Sequence, residues 1–188
     1  MEALWSWNRK FNLTGLEDRS RMVIELFLDS LLPSPFLPAE GDLLDVGSGA
    51  GLPGLPLKIH CPLRHAVLVE PNSKKVSFLR HVIRLTGLER AEVIKDHVER
   101  LRPEVRYDMV TARALADLGK TLKCCAPRVK QGGLLVLYLG ARVEEQLKES
   151  ECLVTDHHLK VVRRVSYTLP GKRSERHTMI FQKEREGT

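Results

Sequence analysis

The sequence predicts an α/β fold in which helices cover both faces of a mostly parallel sheet of seven strands. Short apolar segments that suit buried strands alternate along the chain with segments of helical spacing. Parallel strands require right-handed crossovers, so the intervening helices pack on the two faces of the sheet. The last two apolar segments follow the final predicted helix, which indicates an antiparallel hairpin at one edge.

The predicted fold is organised around a glycine-rich turn after the first strand. The apolar segment Leu43–Val46 leads into four glycines within eight positions, at Gly47, Gly49, Gly51 and Gly54, and a helical pattern begins directly afterwards. A strand, a glycine turn and a helix form the opening of a nucleotide-binding unit, because glycine lets the backbone approach a ligand closely and adopt positive φ. We therefore expect a ligand at this turn.

Further candidate site residues follow the other predicted strands. Glu70 ends the strand Ala66–Val69, about twenty residues after the glycines, where acids that bind a ribose are found. Asp96–Glu99 follows the third strand, and Arg113 follows the fourth. The carboxyl ends of parallel strands meet at one edge of a sheet, where ligands of open α/β sheets bind. The sequence therefore predicts one site that combines these residues with the glycine turn.

An acid before the glycines distinguishes between possible ligands. Asp45 with Gly47, Gly49 and Gly51 gives the pattern D-x-G-x-G-x-G, which is typical of methyltransferases that use S-adenosylmethionine. That ligand carries a cationic sulfonium, so a nearby carboxylate is favourable, whereas a carboxylate would repel the pyrophosphate of a dinucleotide. The segment Gly49–Gly54 also satisfies G-x-G-x-x-G. Two alternatives therefore stay open, a nicotinamide-dependent oxidoreductase and a turn without a ligand.

The amino-terminal segment has a composition of its own. Trp5, Trp7 and Phe11 are interleaved with Arg9 and Lys10. Aromatic and basic side chains in such a mixture can stack on bases and pair with phosphates. The other interpretation is that the aromatic residues anchor an entry helix on the rest of the domain.

We expect residues 1–38 to form a helical amino-terminal segment and residues 39–188 to form the main domain. Within the first, Arg21–Leu32 has the spacing of an amphipathic helix that ends at Pro33. Its inward residues are expected to be Met22, Leu26, Leu28 and Leu32. The proline-rich segment Pro33–Pro38 is predicted to connect this helix to the main domain.

The main domain is predicted to contain further helices and strands. Ser73 is expected to cap a helix that ends at Gly87. Other helices are predicted at Leu115–Val129 and Val143–Glu149, with Gln131–Gly133 as a turn before the fifth strand. The predicted strands after the second are Ala91–Lys95, Tyr107–Ala112, Leu134–Leu139, Leu159–Tyr167 and Thr178–Gln182.

Composition argues against a metal site and a membrane segment. The chain has 188 residues, a net charge of +6 and four cysteines that lack C-x-x-C spacing, so free thiols in a reducing cytoplasm are expected. No apolar run has the length of a membrane span, and the first residues lack the pattern of a secretion signal. The positive charge permits a polyanionic partner. We expect a cytoplasmic, monomeric protein that binds no metal.

Four segments match the pattern of a known family, namely Trp7–Thr14, Leu28–Leu31, Asp45–Gly54 and Thr111–Ala114. In them the chain resembles the bacterial small-subunit ribosomal RNA guanine-N7 methyltransferases, also called glucose-inhibited division protein B. The resemblance covers nearly the whole chain. The glycine segment continued by Leu-Pro-Gly is much more specific than general methyltransferase motifs.

The resemblance implies a Rossmann-like class I S-adenosylmethionine-dependent methyltransferase fold, with S-adenosylmethionine as cofactor and 16S ribosomal RNA, within the small ribosomal subunit, as substrate. It implies that Glu70 holds the ribose hydroxyls, that Val98 and Glu99 flank the adenine, and that Arg113 is a positioning group at the mouth. The implied cofactor-binding residues are Gly47, Gly49, Gly51, Leu52, Glu70, Val98, Glu99 and Arg113. No catalytic residue is implied, because guanine N7 carries a free lone pair and no proton, so that transfer depends on orientation.

The sequence departs from the usual pattern of this family at three places. It begins close to the Trp-Asn motif, which suggests a truncated amino terminus. Phe27 stands where histidine is usual, and Leu139 stands where lysine is usual. Both lost groups are expected near the substrate. A third alternative is therefore a degenerate relative that binds cofactor or RNA without methyl transfer.

Overall fold

The computed structural model describes residues 1–61, 65–113 and 117–185. Within these ranges a seven-stranded sheet has the order β3-β2-β1-β4-β5-β7-β6. The strands are β1 Asp42–Val46, β2 His65–Val69, β3 Ala91–Ile94, β4 Tyr107–Arg113, β5 Val129–Leu139, β6 Leu159–Thr168 and β7 Glu175–Lys183. Strands β1 to β5 pair in parallel, whereas β7 pairs antiparallel with both β5 and β6. The predicted mostly parallel sheet with a terminal hairpin is confirmed.

Helices lie between the strands and before the sheet. They are α1 Glu2–Phe11, α2 Arg19–Met22, α3 Asp29–Leu31, α4 Gly54–His60, α5 Ser73–Thr86, α6 Leu118–Cys125, α7 Val143–Glu149 and α8 Glu151–Asp156. Short 3-10 turns are present at Ser34–Phe36, Val98–Arg100 and Ala126–Arg128. In the described ranges, no helix is both long and apolar enough to cross a membrane.

Alternate residues of β1 pack into cores on opposite faces of the sheet. Leu44 and Val46 belong to a core that includes Leu118 of α6, whereas Leu43 belongs to another core with Leu57 of α4. Side chains on a strand alternate between the two faces of the sheet, so a strand buried on both faces is mainly apolar. The exception in β1 is the buried Asp45, which is hydrogen-bonded to Thr111. Burial on both faces explains the short, continuous apolar segments in the sequence.

The predicted helix Arg21–Leu32 is present but contains a π-helical turn. The chain is helical from α2 through Val23–Leu28, which is π-helical, into α3. A π turn inserts one residue relative to α-helical spacing and therefore rotates the residues that follow it. The α-helical spacing assumed in the prediction ends at this turn.

The π turn changes which side chains are buried. Met22 and Leu26 are buried as predicted, but Leu28 is 37% exposed and Leu32 is only half-buried. Glu25 and Asp29 are buried instead. The prediction for Leu28 and Leu32 was wrong because it treated the whole segment as one regular amphipathic helix.

The cap predicted for α5 was wrong by one residue. The side chain of Asn72, not that of Ser73, accepts hydrogen bonds from the backbone N–H groups of Lys74 and Lys75, at 3.0 and 3.2 Å. Asn72 has extended backbone angles and so satisfies the N-cap geometry. The predicted stop is confirmed, because Gly87 has φ 60° and ψ 28° and forms a left-handed C-cap.

The predicted helix Leu115–Val129 is shorter in the structure, and its first two residues lie outside the described ranges. Helix α6 ends at Cys125, and Val129 already belongs to β5. The predicted turn Gln131–Gly133 lies inside β5. There the pairing with β4 is irregular, since Tyr107 pairs with Val129 and Met109 with Leu134, so the glycines interrupt the ladder without ending the strand.

Candidate functional site

The glycine turn after β1 has the backbone conformation predicted for it. Gly47, Gly49 and Gly51 have φ of 64°, 58° and 83°. A Cβ atom at Gly51 would clash with Leu55 and approach Leu79 to 2.9 Å. Glycine is therefore required at position 51 for two reasons: the positive φ, and the close packing of the turn against Leu55 of α4 and Leu79 of α5.

Glu70 ties the glycine turn to the next strand and helix. Its Oε2 accepts a hydrogen bond from the Gly49 N–H at 2.9 Å, and its Oε1 accepts one from the Asn72 N–H at 2.9 Å. The side chain is buried, with 5% of its surface exposed. A carboxylate has about four acceptor sites, so Glu70 can hold the turn and still accept hydrogen bonds from a ligand.

Asp45 lies beneath the turn and contacts protein groups. Its Oδ1 accepts from the Thr111 hydroxyl at 2.8 Å, and its Oδ2 accepts from the Gly54 N–H at 3.1 Å. Burial raises the pKa of Asp45 to about 6, although these hydrogen bonds favour the charged form. The contacts assign Asp45 to joining β1, β4 and α4. They do not support the interpretation in which it faces a cationic ligand.

A cavity of about 250 Å³ lies at the carboxyl ends of the first strands, and we call it the glycine-turn cavity. It is lined by Val46, Gly47, Val69, Pro71, Asp96, His97, Val98, Glu99, Lys120 and Cys124. Gly47, Val98 and Glu99 are therefore brought together as predicted, and Glu70 lies between two lining residues. Among the described residues, no group of three or more His, Cys, Asp or Glu could hold a metal ion.

Leu52 and Gly51 line a different cavity. This apolar cavity, of about 610 Å³, lies between α1, α4 and α5 and also includes Phe27. Leu52 is 7% exposed and packs in the core that contains Phe78. Its side chain is directed toward the helices because the turn bends back onto α4. A cofactor contact of Leu52 or Gly51 stays a prediction.

Arg113 ends β4 and lines a third cavity, of about 380 Å³, which we call the arginine groove. The groove is lined by Thr14, Leu16, Glu25, Leu26, Asp29, Arg113, Tyr138, Leu139, Gly140, Tyr167 and Arg176. Leu139 thus lies in this groove, whereas Phe27 lies in the apolar cavity. The two departures from the family pattern therefore line different cavities. Their expected position near the substrate stays a prediction.

Arg113 is held by a buried carboxylate that the sequence analysis did not single out. Its Nη1 lies 3.2 Å from Asp29 Oδ2, which also contacts Arg176 Nη1 at 3.0 Å. The Tyr167 hydroxyl donates to Asp29 Oδ1 at 3.0 Å. Asp29 therefore joins α3 to β4 and to the β6–β7 hairpin.

Glu25 extends this network one helical turn away. Its Oε1 lies 2.8 Å from both Arg21 Nε and Lys172 Nζ, and its Oε2 lies 3.4 Å from Arg176 Nη2. Burial raises the pKa of Glu25, but the hydrogen bonds from Lys172 and Arg21 outweigh it, so the pKa is lowered. Two acids four residues apart in an otherwise apolar pattern were the available signal for this network.

Two adjacent thiols lie at the end of α6, and one of them lines the glycine-turn cavity. Cys124 Sγ is 3.8 Å from Cys125 Sγ and 3.4 Å from the Thr121 carbonyl oxygen. The hydrogen bond from Cys125 lowers the pKa of Cys124. The same hydrogen bond, together with burial, raises the pKa of Cys125. The sequence analysis gave these cysteines no role in a site.

The fold is shared with solved methyltransferase structures. One is ribosomal protein L11 methylase from Lactobacillus delbrueckii subsp. bulgaricus, with a TM-score of 0.68 and 11% identity over 86% of this chain and 79% of that chain. Another is M. jannaschii TYW2 in complex with AdoMet, with a TM-score of 0.67 and 13% identity over 89% of this chain and 76% of that chain. The predicted Rossmann-like class I methyltransferase fold is confirmed.

Sequence comparisons identify the family. A family model described as rRNA small subunit methyltransferase G matches residues 1–178. A relative of that name from Alkaliphilus metalliredigens is 34% identical over 97% of this chain and 79% of its own length. Another, from Stenotrophomonas maltophilia, is 38% identical over 94% of this chain and 81% of its own length.

These matches decide between the reaction classes that the glycine pattern left open. The nicotinamide-dependent oxidoreductase is wrong, because the matched family consists of methyltransferases that use S-adenosylmethionine. That the glycine turn itself binds the cofactor stays a prediction. The predicted cofactor and the predicted methylation of ribosomal RNA are confirmed. The chain belongs to the GidB family of small-subunit ribosomal RNA methyltransferases G.

Proposed function

We propose that this family member methylates N7 of a guanine in 16S ribosomal RNA and that the glycine-turn cavity binds the cofactor. The observation that carries the proposal is the meeting of Gly47, Val98 and Glu99 in one cavity beside Glu70. S-adenosylmethionine, when bound, supplies an activated methyl group. The remaining work of the protein is to bind, to orient and to exclude water.

The chemistry of these groups fits the cofactor. Val98 and its apolar neighbours offer a surface for a purine, and Glu99 lies beside it. Glu70 has acceptor capacity beyond its two backbone hydrogen bonds, which suits ribose hydroxyls. Gly49, Gly51 and Leu52 are proposed to shape the turn that carries Gly47 against the cofactor.

Arg113 is proposed as a positioning group for the target base. It ends β4, the neighbour of β1 in the sheet, so the arginine groove adjoins the strand that carries the glycine turn. Arginine has five N–H donors, and Asp29 engages only one nitrogen of Arg113. A donor directed to guanine O6 would leave the N7 lone pair free to attack, and no general base is needed because N7 carries no proton.

We further infer the setting in which the chain acts. The substrate is proposed to be 16S ribosomal RNA within the small subunit, and the protein is proposed to be a cytoplasmic monomer. The net charge of +6 supports a polyanionic partner. The division into residues 1–38 and 39–188 is likewise a proposal, and the core shared by Leu4, Met22 and Phe78 joins the two parts.

The direct test is transfer of radiolabelled methyl from S-adenosylmethionine to ribosomal RNA lacking the modification, offered as naked RNA and as small subunits. Label at N7 of one guanine supports the proposal, and the better substrate identifies the form that is recognised. Replacement of that guanine by 7-deazaguanine should abolish labelling. Cofactor binding without any label would favour the degenerate relative that binds without transferring.

Glu70→Ala tests the cofactor site separately. Loss of the ribose contacts and of the turn's anchor is expected to weaken S-adenosylmethionine binding roughly 10- to 100-fold, about 1.4–2.8 kcal/mol. Isothermal titration calorimetry measures this, with circular dichroism as a check of folding. Glu104→Ala, at an exposed position, is the matched control. Equal affinity in the two variants would remove Glu70 from the site.

A further inference from the structure

A fourth cavity, of about 630 Å³, runs between α1 and the start of α5, and we call it the aromatic groove. It is lined by Trp5, Asn8, Arg9, Lys10, Phe11, Asn12, Glu17 and Lys74. The groove is separate from the glycine-turn cavity and from the arginine groove. Neither the cofactor nor the positioning of the target base uses it.

The aromatic groove is positively charged and its cations are available. Arg9, Lys10 and Lys74 face a single carboxylate, that of Glu17. Arg9 and Lys10 are exposed, and within the described residues neither has an ion-pair partner. A groove lined by three basic side chains and one carboxylate has a positive potential, which favours an anionic ligand.

The aromatic side chains divide into one anchor and two groove residues. Trp7 packs on Phe78 and His81, with ring centroids 5.6 and 5.4 Å away, and so anchors α1. Phe11 remains 42% exposed, with Lys74 Nζ 5.8 Å from its ring centroid. Trp5 also lines the groove. Trp7 therefore fits the interpretation in which the aromatic residues anchor a helix, whereas Trp5 and Phe11 are placed where they could stack on bases.

The aromatic groove adjoins the glycine-turn cavity through the start of α5. Pro71 lines the cavity and Lys74 lines the groove. Three residues of chain span at most about 10 Å. A molecule bound in the groove beside Lys74 therefore lies near the edge of the site proposed for the cofactor.

We propose that the aromatic groove binds a single-stranded segment of the RNA substrate next to the target nucleotide. Arg9, Lys10 and Lys74 contact its phosphates, and an unpaired base stacks on Phe11. The aromatic faces select a single strand because paired bases cannot stack on a side chain. This inference rests on the proposed function for the identity of the strand.

Tryptophan fluorescence reads this groove selectively, because the chain has two tryptophans and both are in α1. The full chain is titrated with a single-stranded oligoribonucleotide and with a duplex of equal length. In Trp7→Phe the remaining Trp5 should be quenched by the single strand and much less by the duplex. In Trp5→Phe the remaining Trp7, which is half-buried and has its ring centroid 5.5 Å from that of Phe11, should be quenched less than Trp5.

Charge and stacking are tested by affinity and by its salt dependence. Phe11→Ala should weaken binding of the single strand roughly tenfold. Arg9→Ala combined with Lys10→Ala should lower the slope of log affinity against log salt by about 1.4, the value for two phosphates on a single strand. Arg142→Ala combined with Lys148→Ala, an exposed pair at α7, is the charge-matched control. Thermal melts check folding.

Affinity and salt slope equal to the control in both groove variants would overturn the proposal. Stronger quenching by an acidic peptide, with polyglutamate as the probe, would also overturn it and point to a protein partner. The proposed function is measured separately by methyl transfer and calorimetry. If the native chain binds the single strand but transfers no methyl group, the result counts against the proposed function alone. If both groove variants transfer methyl groups as fast as the native chain, the result counts against the groove alone.

Discussion

Asp45 is a buried carboxylate whose ionisation opposes folding. Its pKa of about 6 in the folded protein exceeds the value of about 3.9 expected when the chain is unfolded. Between these values the folded state binds more protons than the unfolded state. The contribution of Asp45 to the free energy of unfolding therefore decreases as pH rises from about 4 to 6.

Asp45→Asn isolates this contribution. Asparagine does not ionise, so the free energy of unfolding of the variant relative to the native chain should increase between pH 4 and pH 7, by up to about 3 kcal/mol. Urea unfolding at several pH values measures the difference. The exposed substitution Asp156→Asn is the control and should show a much smaller trend. A pH-independent difference for Asp45→Asn would contradict the assigned pKa.

Cys124 is expected to be the reactive member of the thiol pair. It lines the glycine-turn cavity and its pKa is lowered, whereas Cys125 is fully buried with a raised pKa. Thiolates are the species that alkylate. Iodoacetamide should therefore modify Cys124 faster than Cys125, as read by mass spectrometry of peptides.

S-adenosylhomocysteine should slow alkylation of Cys124 if the cavity holds the cofactor's adenosine. Cys152 is exposed on α8, away from the cavity, and serves as the internal control. Protection of Cys124 without protection of Cys152 is the expected result. Equal rates with and without the ligand would place the cofactor elsewhere.

At the scale of elements, the π turn between α2 and α3 makes the arginine groove possible. It brings Glu25 and Asp29 to the buried side, where arginines from β4 and β7 meet them. Asp29→Ala would leave the Arg113 and Arg176 guanidinium groups and a tyrosine hydroxyl without their carboxylate. Removing one partner from a buried ion pair costs about 3–5 kcal/mol.

Chemical denaturation of Asp29→Ala measures this loss, and Asp156→Ala on the surface of α8 is the control. The variant should also bind S-adenosylmethionine with nearly native affinity where it remains folded, because Asp29 does not line the glycine-turn cavity. If the free energy of unfolding of Asp29→Ala equals that of the control, Asp29 makes no net contribution to the stability of the fold.

The sequence was sufficient to predict strands that are covered on both faces of the sheet, because such strands are continuous apolar segments. The strand Ala66–Val69 is apolar throughout because both faces are covered, and β2 begins one residue before it. Other elements depend on energies that a pattern does not contain. The shift to π spacing in Val23–Leu28 depends on tertiary partners such as Arg176. The glycines of β5 suggested a turn, although neighbouring strands hold them within the ladder.

At the scale of the whole molecule, the sequence predicted that most candidate site residues lie at one edge of the sheet, and the structure places Gly47, Glu70, Val98 and Glu99 there together. Gly47, Glu70, Val98 and Arg113 follow consecutive strand ends, which topology alone brings together. Patterns do not specify to which side of a turn each side chain points. Gly51 and Leu52 therefore line a cavity other than that of Gly47, and Arg113 meets a carboxylate from a helix remote in sequence.

The two cavities at the strand ends are assembled from different parts of the chain. The residues that line the glycine-turn cavity all lie between positions 46 and 124 of the chain. The arginine groove is also lined by Tyr138, Tyr167 and Arg176, which come later in the chain. Translation proceeds from the amino terminus, and folding begins on the emerging chain. Val46 and Val98, which line the glycine-turn cavity, nevertheless pack in the core that contains Leu137 of β5 and Phe181 of β7. Because a domain folds as a unit, both cavities take their final shape only after the last strand has left the ribosome.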